Sequence, residues 1–401
     1  MTRVRILLTG GGSGGHVYPL LAVAEALQKL AAQNGFGLDV HYLGPKDAYS
    51  LIVERAGVKT HSLAYGKIRR YFSLLNLLDI PKFFIGLIQS FAKLLWLMPD
   101  AIFSKGGPGA LPVVLVGWFY RIPILIHESD AQPGLTNLLS ARYAKRIAVG
   151  FERALQFFTP SKTAWVGNPV RSELLRDRMG QEEAKIELHF KPNQPLLVIL
   201  GGSQGSQRIN EFILIILADL IKETQILHQT GPTNFREVER LARAVLLEIP
   251  VETEVKSRYQ AVPYLENELT AALTGADLIV ARPGAGAISE IAAFGKPAIV
   301  IPIPESANDH QRVNAHEFVH FLRHKIRKLS RIHAPQPQGK KVLQKRLEID
   351  DLLQKTQLLL DNFHKNMFNF VSEIYLRLYF LLPFSTDACI QCLCCKSHRI
   401  L

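Results

Sequence analysis

Short hydrophobic runs alternate along this chain with glycine-rich turns and with longer segments whose apolar residues recur every three or four positions. VRILL (4–8) reads as a buried strand, and PLLAVAEALQKLAAQ (19–33) as an amphipathic helix with Pro19 in its first turn. LDVHYLG (38–44), AIFSKGG (101–107) and IPILIHE (122–128) predict further strands, with a helix around 110–120. RIAVG (146–150) and TAWVGNP (163–169) close the first half. The pattern then restarts. PLLVILGGSQGSQRIN (195–210) is again strand, Gly/Ser turn and helix, and ADLIVARPGAGAISEIAAFGKPAIVIP (276–302) is strand, Gly turn, short helix and strand. This rhythm predicts an α/β protein with two parallel-sheet domains. The turn-forming Gly167-Asn168-Pro169 marks the boundary. It divides the chain into an N-terminal domain over 1–166, a C-terminal domain over 167–364 and a tail over 365–401.

Composition narrows the class. The 401 residues are 48% hydrophobic and 20% charged, which is ordinary globular composition. Thr2, Arg3 and Arg5 lead straight into the first strand, so no signal peptide is expected. No run of ~18 uncharged apolar residues occurs, so no membrane-spanning helix is expected. All four cysteines (Cys389, Cys392, Cys394, Cys395) lie in the tail, so no disulfide framework supports the body, in keeping with a reducing cytoplasm. The net charge of +12 is uneven: residues 316–401 carry 14 Lys+Arg against 7 Asp+Glu, and residues 1–315 carry 33 against 28. A mildly basic body without a helix-turn-helix, finger or RNA-binding signature argues against nucleic acid. A phosphorylated substrate or an anionic membrane surface fits the sign of the charge.

The candidate chemistry sits in three glycine loops. Gly10-x-Gly12-x-x-Gly15 follows a strand and precedes a helix, as in dinucleotide-binding folds. The second strand ends in Tyr42-Leu43-Gly44, without the carboxylate that would hold a dinucleotide's ribose, which argues against that use. Five glycines exceed what packing of a tight turn requires, since each loses backbone entropy on folding. A phosphate cradle uses them better: backbone N–H groups converge and a helix N-terminus follows. Gly201-Gly202-Ser203-Gln204-Gly205 occupies the equivalent place in the second half, and Arg282-Pro283-Gly284-Ala285-Gly286 opens the helix carrying Glu290. Three anion-competent loops in two similar domains predict a diphosphate in a cleft between them.

Five motifs carry a family resemblance: GGGSGGHVYPLLAVAEAL, IHESDAQPGLTN, VGNPVR, LGGSQGSQRIN and ARPGAGAISEIAAFGKPAIVIPIPESANDHQRVNA, in this order over residues 6–315. Together they resemble the MurG family of GT-B glycosyltransferases. The resemblance implies two Rossmann-like doubly wound parallel-sheet domains facing a cleft. It implies inverting transfer of N-acetylglucosamine from UDP-N-acetylglucosamine to undecaprenyl-pyrophosphoryl-MurNAc-pentapeptide, giving lipid II for peptidoglycan. By motif position it implies that Ser13, Gly14 and Gly15 line the donor side of the first loop. Arg171, Ser203 and Gln311 match donor contacts, and Leu265 falls where the family meets the uracil through backbone. Ala285, Gly286, Ala287, Ile288, Ser289 and Glu290 form the loop and helix start at the pyrophosphate and ribose, with Glu290 on the ribose hydroxyls. Many members have Asn where this chain has Asp130, and an ionised Asp can only accept hydrogen bonds. No metal-binding pair accompanies the loops, so no metal or other cofactor is expected.

Inverting transfer needs one base, and His16, at the end of the first loop, suits that work near neutral pH. Asp130 and Glu128, at a strand end of the same domain, are its rivals; a histidine that only shapes the loop is the plainer reading. A lipid-anchored acceptor requires membrane contact. KIRRYFSLLNLLDIPKFFIGLIQSFAKLLWLM (67–98) is the candidate, with Lys67, Arg69, Arg70, Lys82 and Lys93 around Phe72, Phe83, Phe84, Ile85, Phe91 and Trp96. Some of these aromatics are expected in the core. After Ala315 the family pattern is expected to stop. There 347–363 reads as a helix, 368–384 as amphipathic at best, and the cysteines as an unstructured tail rather than a zinc site. Another GT-B lipid transferase, or a non-catalytic nucleotide-sugar-binding relic, stays open on sequence alone.

Overall fold

The structure is a computed structural model that describes residues 3–66, 75–176, 179–250, 252–303 and 309–320. Both of its sheets lie in one compact unit, Met1–Glu317. The first sheet is built from β1 (Arg3–Thr9), β2 (Gly37–Gly44), β3 (Lys59–Ser62), β4 (Ala101–Ser104), β5 (Ile124–Glu128), β6 (Arg146–Val149) and β7 (Thr163–Trp165). Its order is β3-β2-β1-β4-β5-β6-β7 and every pairing is parallel. Helices α1 (Gly14–Asn34), α2 (Ala48–Arg55), α3 (Leu75–Leu97), α4 (Ala110–Phe119) and α5 (Leu135–Ser140) make the crossovers.

The short helices α6 (Glu173–Arg176) and α7 (Gln181–Glu187) lead into the second sheet. There β8 (Leu196–Leu200), α8 (Gln207–Glu223), β9 (Gln225–Gln229), α9 (Phe235–Glu248), α10 (Thr253–Lys256) and β10 (Tyr259–Val262) form one wing. α11 (Leu269–Gly275), β11 (Leu278–Ala281), α12 (Ala285–Phe294) and β12 (Ala298–Val300) form the other, in the order β10-β9-β8-β11-β12, again all parallel. Residues 310–320 are helical. Fully apolar strands such as β8, buried at every position, suit a sheet covered on both faces.

The topology locates the site. In each sheet the strand order reverses beside the first strand, between β1 and β4 and between β8 and β11. Loops at the carboxyl ends of strands part at such switch points and leave a crevice. The loops there are 10–13, 105–109, 201–206 and 282–284, and all three glycine motifs begin in them.

Two sequence expectations shift. α1 begins at Gly14, five residues before Pro19, so His16 lies in its first turn. Pro19 lacks only the N–H that would have met the Gly15 carbonyl. Over Asp79–Leu97, α3 is long and apolar enough to cross a membrane by length and composition, although the sequence showed no uncharged run. The predicted helices at 347–363 and 368–384, the cysteines, and Lys67, Arg69, Arg70 and Phe72 lie outside the described residues.

Candidate active site

The loops after β1 and β4 interlock. Lys105 N donates to Thr9 O at 2.8 Å. A Cβ at Gly107, whose φ is +80°, would fall 2.9 Å from His16 Cδ2 and 3.1 Å from its Nε2. Only glycine lets this backbone lie against the imidazole. The His16 ring interacts with the Lys105 backbone. Burial pulls the His16 pKa down to about 4, and the Lys105 charge adds to this, while Asp130 opposes it. The imidazole is therefore neutral at pH 7. Lys105 itself is 1% exposed. Burial lowers it to about 8 against the pull of Glu128 and Asp130, and its Nζ donates to Ser129 Oγ.

The two rival carboxylates separate by their partners. Glu128 accepts from Asp130 N at 2.9 Å, Gly134 N at 3.0 Å and Asn137 Nδ2 at 2.9 Å. These bonds assign it to shaping the 129–134 loop. Burial and the neighbouring Asp130 push its pKa up. Asp130 Oδ1 accepts from Asn314 Nδ2 at 2.8 Å. Asn314, fully buried, also accepts from Ala131 N at 2.8 Å and donates to Pro283 O at 3.2 Å. One amide thus ties the loop after β5 to the loop after β11.

Around the second sheet, backbone rather than side chain is on offer. α8 and α12 start at Ser206 and Gly284, neither makes a side-chain cap bond, and neither helix has an acidic residue in its first turn. α1 starts the same way at Ser13, whose carbonyl receives His16 N and Val17 N. An uncapped N-terminus keeps unpaired N–H groups and a positive dipole end, the combination that receives an anion. Ser206 Oγ is buried with no hydrogen-bond partner among the described residues. Arg282 Nη1 donates to Gly205 O at 3.4 Å, placing a guanidinium between two of the loops.

The remaining predicted residues have the following surroundings. Arg171 Nη2 meets Glu290 Oε1 at 3.3 Å, and its guanidinium lies over the Tyr18 ring at 4.7 Å. Tyr18 Oη is 2.9 Å from Tyr264 Oη. Burial raises the Glu290 pKa and Arg171 lowers it. Ser203 Oγ accepts from Tyr49 Oη at 3.3 Å. Leu265 is buried with its N–H given to Gln229 Oε1 at 3.2 Å. Gln311 Oε1 accepts from Ile303 N at 3.1 Å. Ala285 and Ile288 are core residues, whereas Gly286, Ala287, Ser289 and Glu290 are half-buried; Ser289 Oγ returns to Ala285 O at 2.8 Å. In the first loop Gly15 is exposed and Gly14 buried, and Gly12 N is taken by Asp47 Oδ2 at 3.3 Å. Among the described residues no group of three or more His, Cys, Asp and Glu is placed to hold a metal ion.

Sequence reading did not single out Lys105 or Asn314, and it named Arg282 only as part of the third glycine loop. Lys105 and Arg282 had a usable signal, a lone cation ending a switch-point strand before a glycine turn. Asn314 lies in the last family motif, but two of its bonds reach residues more than 180 positions away, which spacing alone does not show.

Comparison with known proteins identifies the family. The glycosyltransferase family 28 N-terminal domain matches residues 6–149, and the C-terminal domain of that family matches residues 196–366. The second domain match extends past Ala315, whereas the relatives align over about 316 residues, in keeping with an atypical segment beyond the last motif. The chain is 36% identical over 316 residues to UDP-N-acetylglucosamine--N-acetylmuramyl-(pentapeptide) pyrophosphoryl-undecaprenol N-acetylglucosamine transferase 2 of Bacillus cereus, covering 78% of this chain and 84% of that one. The corresponding Clostridium tetani transferase is 33% identical over 78% of this chain and 82% of its own. Among solved structures, MurG of Acinetobacter baumannii is 25% identical with a TM-score of 0.57, over 79% of this chain and 84% of that chain. This chain belongs to the MurG family of N-acetylglucosamine transferases, within glycosyltransferase family 28.

Proposed function

We propose that this glycosyltransferase moves N-acetylglucosamine from UDP-N-acetylglucosamine to the MurNAc 4-hydroxyl of undecaprenyl-pyrophosphoryl-MurNAc-pentapeptide, forming lipid II. One observation carries the reading. A neutral histidine and a set of uncapped helix N-termini are held together by bonds between the loops of the two sheets, Asn314 to Asp130 and Tyr49 to Ser203. Acid–base chemistry and anion binding therefore meet at one place.

The reaction follows from that division. The acceptor 4-hydroxyl oxygen attacks the anomeric carbon on the face opposite the diphosphate. The bond from that carbon to the diphosphate oxygen breaks, and its electron pair leaves with UDP. The hydroxyl proton passes to a ring nitrogen of His16, which is neutral at pH 7. The Asp130 charge favours the imidazolium that forms. The N–H groups opening α8 and α12, Ser203 and the Arg282 cation meet the charge developing on UDP. Glu290, steadied by Arg171, accepts from the ribose hydroxyls.

Membrane contact belongs to the same reading. α3 buries only Gly86, Ser90, Leu94 and Leu97, one narrow stripe, along its described side chains. Phe84, Ile85, Ile88 and Trp96 on α3 are exposed, as are Trp118 and Phe119 at the end of α4. Phe91, by contrast, packs against Phe119 and Tyr120 and is core in part. An apolar patch of this kind, with Lys82 on α3 and Arg121 just after α4, suits peripheral seating on an anionic leaflet. The decisive assay supplies UDP-N-acetylglucosamine and a lipid-linked MurNAc-pentapeptide analogue. Formation of the disaccharide product is expected, with UDP-glucose and UDP-N-acetylgalactosamine as poorer donors. Equal use of all three donors, or no transfer to this acceptor, would refute the assignment.

A further inference from the structure

We propose that Tyr49 is a positioning residue for the diphosphate site, holding the Ser203 hydroxyl from the opposite sheet so that the Ser203 proton points at a bound diphosphate. The inference rests on the donor site described under the proposed function and adds a residue to it. Tyr49 is the second residue of α2, on the first sheet, whereas Ser203 lies in the turn between β8 and α8 on the second. The phenol donates to Ser203 Oγ at 3.3 Å, across 154 positions of sequence. A serine hydroxyl that accepts at its oxygen keeps its own proton to give away. Donation in series also polarises the second O–H.

The surroundings hold the phenol where it is. Asp47 caps α2 by accepting from Tyr49 N and Ser50 N, each at 3.0 Å. The same carboxylate reaches Gly12 N at 3.3 Å and so fixes the start of α2 on the first glycine loop. Gly14 provides the seat for the ring: a Cβ there would lie 3.5 Å from Tyr49 Cε1 and 3.1 Å from Tyr18 Cε2. The Tyr49 ring thus bridges the N-terminus of α1 and the turn before α8. That turn is prepared for an anion, since α8 is uncapped and the buried Ser206 Oγ beside it has no partner among the described residues.

The test is calorimetric titration of the full chain with UDP and with uridine, for the wild type, Tyr49→Phe, Ser203→Ala and the double variant. Phenylalanine keeps the ring on Gly14, and an unchanged melting temperature confirms that Tyr49→Phe is folded. Tyr49→Phe is expected to weaken UDP ~3–10-fold, the worth of one neutral hydrogen bond, and to leave uridine unchanged. On the Ser203→Ala background the same change should add nothing, because its route to the ligand is gone. Unchanged UDP affinity in Tyr49→Phe overturns the inference. So does an equal loss for uridine, or a full additional loss on the Ser203→Ala background. Failure of the diphosphate reading itself shows separately, as undiminished UDP binding by Ser203→Ala alone, and the inference falls with it.

Discussion

The loops of the first sheet carry side chains whose charge is set by burial. His16 is held neutral, Lys105 is lowered to about 8, and Glu128 is raised. The loops of the second sheet carry open helix starts at Ser206 and Gly284 and the cation Arg282, and Arg171 joins them from the connection before α6. One half is equipped to move a proton and the other to receive an anion. Both arise from the same strand–turn–helix unit, so the difference lies in the residues ending the strands. β4 leads into Lys105 and β5 ends on Glu128, whereas β8 ends on Leu200 before two glycines.

The largest effect should come from deleting the proposed base. His16→Ala is expected to lower turnover ~10²–10⁴-fold while UDP affinity holds, since the proton in question belongs to the acceptor. A comparable loss in Asp130→Asn alongside a nearly active His16→Ala would move the base to Asp130. Substantial loss of UDP binding in His16→Ala would break the division itself. The reciprocal change is Glu290→Ala, expected to weaken donor binding by ~1.5–3 kcal/mol, the range for hydrogen bonds to a charged group. Calorimetry that finds donor affinity intact would remove Glu290 from the ribose.

How much of this could be read in the sequence depends on range. β1, β2 and β8 were plain because their apolar runs are local. β3 reads Lys-Thr-His-Ser; it is an edge strand with no apolar residue and stands out only once β2 pairs with it. The glycine loops were legible because a glycine cluster after a strand restricts what can follow. The burial of Lys105 was not, since it requires β4 beside β1, a pairing that joins Ile6 to Ala101. The same holds for Asn314, whose role exists only when both sheets are in place. Serial position shows the motifs, while tertiary pairing decides which charges are unsettled.

The membrane face sharpens the comparison, because it lies on the first sheet's side. Trp96 is 74% exposed and Phe84 56%. Replacing both with alanine should reduce binding to vesicles containing anionic lipid by about tenfold, as expected from losing part of two aromatic burials. UDP affinity should be untouched. Sedimentation with vesicles checks the first and calorimetry the second; unchanged vesicle binding would place the contact elsewhere.

The smallest effect tests whether the first half's charges act together. Lys105 is the second cause, after burial, of the low His16 pKa, and Asp130 and His310 also face that ring, with opposite signs. Lys105→Met keeps the side chain's length and removes the charge, so the His16 pKa should rise from about 4 toward its ordinary value. A base works in its neutral form, and the rate falls as pH drops through its pKa. The acid limb of the rate profile should therefore move to higher pH in the variant. A rise of about one unit would roughly halve the rate at pH 5 and leave it unchanged near pH 8. Because a structural defect would lower the rate at all pH values alike, the shape of the profile separates the two. An acid limb that stays in place in Lys105→Met, yet disappears in His16→Ala, would show that the ammonium braces the Ser129 loop without tuning the base.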